Sequence, residues 1–115
     1  MLLALAVLLA SADAPRDLTA AETAAIKTVV EDKLKDPESA RFKWEKWNGG
    51  IYYCGMVNAK NSYGGYVGFV PFIAVVAFAN DRVLTKPFVI LADDDSAGIS
   101  DFVVSQCIKA GYSMP

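Results

Sequence analysis

The stretch Cys54–Phe72, CGMVNAKNSYGGYVGFVPF, decides how this chain folds. Its first part continues a period-two pattern, with Tyr52, Cys54, Met56 and Asn58 on one face and Ile51, Tyr53, Val57 and Ala59 on the other, as a strand requires. Asn61-Ser62-Tyr63-Gly64-Gly65 interrupts that pattern with residues that accept turn conformations. Beyond it, Tyr66 to Ala79 is the most hydrophobic run after the N-terminal leader. The stretch therefore predicts a hairpin, with strands from Ile51 to about Lys60 and from Tyr66 to Ala79.

Downstream, Asn80-Asp81-Arg82 marks another turn, and Val83 to Leu91 predicts a fourth strand. Pro71 and Pro87 cannot donate to a ladder, so each must sit at a bulge, a strand end or an edge. After a polar loop, Ile99, Phe102, Val103, Gln106, Cys107 and Ala110 recur at helical spacing. Ser100 is the expected cap of that helix, and Gly111 suits the left-handed position after its end.

Upstream, Asn48-Gly49-Gly50 is a turn signal. Before it, Phe42, Trp44 and Lys46 alternate with Arg41, Lys43 and Glu45, predicting a strand that ends at Trp47. Thr19-Ala20-Ala21-Glu22 has capping-box spacing and should open a helix. Ala25, Ile26, Val29, Val30 and Leu34 form its apolar stripe, and Asp36-Pro37 stops it. The order is helix, four-stranded antiparallel meander, helix, which is an α+β domain.

Residues 2–10 are apolar but too few to span a bilayer, for which about 20 are needed. With the small-x-small site Ala10-Ser11-Ala12 they read as a signal peptide, residues 1–12, cleaved to leave one α+β domain over 13–115. No Lys or Arg precedes the apolar run, so a start codon placed a few codons late would account for the missing basic segment. In an oxidising compartment the two cysteines are most simply one disulfide, Cys54 to Cys107. Neither belongs to a C-x-x-C motif or has a basic neighbour that would make it reactive.

The chain has no histidine, which removes the commonest general base and the commonest transition-metal ligand. A net charge of −2 with scattered cations gives no footprint for nucleic acid. Asp93, Asp95 and Gly98 mimic positions of a calcium loop, but Ala97 and Val104 stand where ligands are needed, so no metal or other cofactor is expected. Trp44 and Trp47 among Arg41, Lys43 and Lys46 read as a half-buried edge strand with a cationic outer face. No catalytic residue is assigned.

Two features point to binding. The third strand is apolar on both faces, which requires helices on both sides or an exposed face that meets a partner or a second copy of the chain. Asn58, Lys60, Asn61, Tyr63 and Tyr66 gather amides, a cation and aromatic rings around one turn, a candidate binding surface that turn chemistry alone would also explain.

Two segments, Lys35-Asp36-Pro37-Glu38-Ser39-Ala40-Arg41-Phe42 and Cys54 through Phe69, together resemble a widespread family of small exported bacterial proteins. The shared pattern is K-D-P-x-S-A-x-F with C-G-x-V-N-A-K-N-x-x-G-G-Y-x-G-F. The resemblance implies a periplasmic or secreted location in a bacterium and carries no activity. The expected function is a non-catalytic binding domain for an envelope or secreted protein, acting through the sheet and the 58–66 hairpin. Binding of cell-wall glycan or a small envelope ligand is the alternative, and an enzyme is a third.

Overall fold

The structure, a computed structural model, describes residues 15–79, 82–92 and 98–114. The expected signal peptide and its cleavage site, the Asn80-Asp81 part of a turn and the Asp93–Asp95 loop lie outside the described residues. Helix α1 is Ala20–Glu31, the strands are β1 Arg41–Lys43, β2 Tyr52–Asn58, β3 Val70–Ala79 and β4 Arg82–Leu91, and helix α2 is Ile99–Lys109. The strands form one antiparallel sheet in the order β1-β2-β3-β4. This is the α+β meander that the sequence predicts.

Helix α1 begins as its sequence dictates. Thr19 Oγ1 accepts from Glu22 N–H, and the Glu22 carboxylate accepts from Thr19 N–H at 2.9 Å, so two orphan donors of the first turn are satisfied. Glu22 is nevertheless fully buried, because Arg16 reaches back to it with two bonds of 2.8 Å. The segment before α1 is thereby fixed: Arg16 also pairs its backbone with Trp47 and lies 4.6 Å from the centre of that indole. At the other end the helix closes a turn before Asp36-Pro37. Lys33 and Leu34 donate to Val30 and Glu31, tightened i→i−3 bonds, and a single 3₁₀ turn, Pro37–Ser39, leads into β1.

Strand β1 is shorter than its alternation suggests, because the backbone beyond Lys43 finds other partners. The Tyr53 hydroxyl accepts from Glu45 N–H at 2.6 Å and donates to Glu45 C=O at 2.7 Å, while Trp47 pairs with Arg16. Trp44 folds onto Phe42, ring centroids 4.8 Å apart and nearly parallel. Strand β3 likewise starts at Val70 rather than Tyr66. Gly68, at φ 100°, breaks the extended run, and the Asn58 side chain takes its N–H. Pro71 lies at the start of β3, and buried Pro87 lies on edge strand β4 where the register with β3 shifts.

Each face of the sheet carries a helix. Alternation puts Tyr53, Val57, Phe72, Ala74, Val89 and Leu91 on one face, and these join Ile26, Val29 and Val30 of α1 in the core. Cys54, Ile73 and Ile90 point the opposite way, and there the Cys54–Cys107 disulfide, Cα atoms 5.9 Å apart, holds α2. This explains why β3 is apolar on both faces. Cover on the α2 side is incomplete: Val75 and Phe88, opposite each other across β3 and β4, stay 42% and 62% exposed.

Helix α2 departs from its prediction at its start and on its flank. Its cap is Gly98 at φ 85°, with Ser100 already helical. Phe102 does not share the buried stripe with Val103 and Cys107; it is about half exposed. The end follows expectation, with Gly111 at φ 96°. Gly111 N–H donates to Ile108 and Tyr112 N–H to Cys107, a Schellman closure. The closure turns Tyr112 inward, its ring edge-on to Tyr53 at 5.7 Å and its hydroxyl donating to Tyr52 C=O.

Candidate functional site

The hairpin between β2 and β3 is held by a residue from elsewhere in the chain. Ser39, at the end of the 3₁₀ turn, accepts Lys60 N–H on its hydroxyl at 2.9 Å. Its carbonyl accepts the Tyr66 hydroxyl at 3.0 Å. Lys60 and Tyr66 also form an isolated backbone bridge. Residues 35–42 and the hairpin therefore meet in space, with Ser39 as the clasp between them.

The candidate residues divide into those that build the loop and those it presents. Asn61 Oδ1 accepts from Tyr63 and Gly65 N–H, and Asn58 Oδ1 accepts from Gly68 N–H, so both amides shape the backbone. Tyr66 is part anchor and part surface: the Arg41 guanidinium lies 4.1 Å from its ring centre and the Lys60 ammonium 5.6 Å. Among the described residues Tyr63 makes no such contact, and it is 96% exposed. Val67 and Phe69 follow it on the outside, with Lys43 4.1 Å from the Phe69 ring. All residues from 61 to 69 are exposed.

A cavity of about 390 Å³ opens beside the hairpin, between the end of α1 and the end of the sheet. Its apolar lining includes Leu34, Val57, Val70 and Leu91, and its cations are Lys33, Lys35 and Lys60. Asn61 and Val67 of the loop complete one wall, and no acidic residue lines it among the described residues. Sequence reading missed this site, along with Ser39 and Arg41. The signal was present but divided: Lys33 and Lys35 flank Leu34 at the end of a helix, and they meet Lys60 only through the tertiary fold.

A second cavity of about 360 Å³ is bordered by Glu45, Lys46, Asn48 and Tyr112. Asn48 shapes it as a structural residue, accepting from Gly50 N–H and donating to Ala110 C=O. The titratable groups clearly displaced from their ordinary values also have structural causes. Hydrogen bonding from Arg16 holds the Glu22 carboxyl low, whereas burial raises the hydroxyls of Tyr53 and Tyr112. Among the described residues there is no cluster of three metal-ligating side chains, and no helix is long and apolar enough to cross a membrane.

Compared with known proteins, the chain matches no family model, no curated protein and no solved structure.

Proposed function

We propose that the chain is a non-catalytic exported domain that binds a protein partner of the bacterial envelope through the 58–66 hairpin and the surface next to it. One observation carries this reading: Tyr63 stands almost fully exposed at the tip of a loop whose backbone is fixed at both ends. An exposed aromatic on a pre-ordered loop loses little entropy on binding, and aromatic rings dominate the energetic centres of interfaces. Supporting it, Arg41, Lys43 and Lys60 stand over the rings of Tyr66 and Phe69, giving a mixed aromatic and cationic surface.

Export draws support from the disulfide, which persists in oxidising compartments. Absence of catalysis draws support from the displaced groups, each of which is committed to holding the fold. The test is capture of partners from an envelope extract by the mature protein, by a Tyr63→Ala variant and by an Asn58→Ala/Lys60→Ala/Tyr66→Ala variant. A specific partner should be lost from both. Retention of every partner by both variants would remove this surface from consideration.

A further inference from the structure

We propose that the cavity between the end of α1 and the base of the hairpin binds a single-chain anionic amphiphile. The apolar chain lies against Leu34, Val57, Val70 and Leu91, and the carboxylate or phosphate head is held at the rim by Lys33, Lys35 and Lys60. This goes beyond the hairpin reading and shares with the 58–66 segment only Ala59, Lys60 and Asn61.

Size, lining and charge agree on that ligand. At about 390 Å³ the cavity falls at the small end of the range for ligand sites, roughly 300–1,000 Å³. Leu34 contributes from the chain after α1, Val57 from β2, Val70 from β3 and Leu91 from β4, so the lining at the sheet is apolar and drawn from three adjacent strands. Water gains little from such a lining, whereas an alkyl chain gains in proportion to the area it buries.

The rim selects the head group. Three ammonium groups with no carboxylate among the described lining residues attract an anion, although the whole chain is net negative. None of the three lysines takes part in a salt bridge among the described residues. Flexible ammonium groups on long stems suit a compact head such as a carboxylate or phosphate monoester. A neutral amphiphile would leave the cations unused, and a free inorganic anion would leave the floor empty. A ligand with both parts uses the whole site.

The experiment titrates the mature protein with straight-chain carboxylates of about six to about fourteen carbons, below their micelle concentrations, and follows methyl shifts of Leu34, Val57, Val70 and Leu91 by NMR. Affinity should rise by roughly fourfold per methylene until the cavity is full and then level off. An alkyl phosphate should match the carboxylate of equal chain length. The alkyl alcohol, and inorganic phosphate alone, should each bind at least about tenfold more weakly.

Lys33→Gln/Lys35→Gln changes two exposed side chains, so the variant is expected to fold, which its melting temperature checks. It should weaken the carboxylate about tenfold and leave the alcohol unchanged. The proposal is overturned if carboxylate and alcohol bind alike, if the variant binds the carboxylate as the native protein does, or if shifts fall outside the cavity. It is also overturned if no carboxylate binds by about 1 mM, the affinity expected of even a weak site. Tyr63→Ala should bind the amphiphile normally, so loss of the hairpin reading and loss of this one are separate results.

Discussion

Glu22 shows how one residue joins two levels of the structure. Its position three residues after Thr19 makes the capping box legible in the sequence, but its burial is set by Arg16, whose guanidinium caps the carboxylate from outside the helix. Glu22→Gln keeps the shape and removes the charge that pairs with Arg16. The expected cost is about 2–4 kcal/mol, below the range for a fully buried pair because Arg16 is itself 38% exposed. Because the Glu22 carboxyl is held below its ordinary value near 4.5, its contribution is complete above that pH and is lost as pH falls through the lowered value. The gap in urea midpoint between native and variant should therefore be widest near about pH 7 and narrow as the pH falls below 4.5 toward the lowered value. Gly55 is the second residue whose identity has a steric cause: an added Cβ would lie 2.8 Å from the tip of the Phe72 ring and 3.1 Å from Lys43 C=O. Phe72 is fully buried against Phe42 and Trp44 and has no free path to retreat. Gly55→Ala should cost about 1–3 kcal/mol by overpacking, measurable as a lowered denaturation midpoint at unchanged slope. That glycine reads in sequence only as a neighbour of Cys54, since the ring that excludes a side chain arrives from another strand.

At the scale of elements, the sequence reports existence and order well and ends poorly, for a consistent reason. Strand β1 reads as long because alternation continues through Lys46 to Trp47, yet the Glu45 backbone is taken by a tyrosine side chain and the Trp47 backbone by Arg16. Strand β3 looked long because Tyr66, Val67 and Phe69 favour strands, yet Gly68 and the Asn58 amide divert the chain. In each case a contact across the fold overrides a local preference that was read correctly. Helix α2 depends most on such contacts, since it buries only Val103 and Cys107. The disulfide closes a separation of 53 residues, for which chain-entropy arguments give about 4 kcal/mol. Cys54→Ala/Cys107→Ala should therefore lower stability by about 3–4 kcal/mol. The loss should be uneven: amide exchange in α2 should accelerate more than exchange in α1, which keeps Ile26, Val29 and Val30 in the core. Equal acceleration in both helices would show that the crosslink acts only through the unfolded chain and does not seat α2.

For the whole molecule, the doubly apolar third strand posed a choice between helices on both faces and an exposed face, and the fold realises the first with a remnant of the second. Sequence could pose that choice because hydrophobicity is local, but could not decide it, because the cover of each face comes from helices at opposite ends of the chain. The cavity rim was illegible for the same reason, with Lys60 joining Lys33 and Lys35 only once the hairpin folds back beside α1. The remnant on the α2 side, Val75 beside Phe88, bears on whether a second copy of the chain meets this face. Val75 and Phe88, even with the half-exposed Phe102 and Ile108 of α2, offer far less than the roughly 800 Å² per partner of a stable interface. Edge strand β4 next to them carries Arg82, Lys86 and Pro87, residue types that discourage pairing between sheet edges. The protein should therefore sediment as a monomer at concentrations up to about 100 µM. Phe88→Lys should leave both its mass and its melting temperature unchanged, because that side chain is 62% exposed. A mass that grows with concentration in the native protein but not in Phe88→Lys would overturn this and make the sheet face a contact between copies.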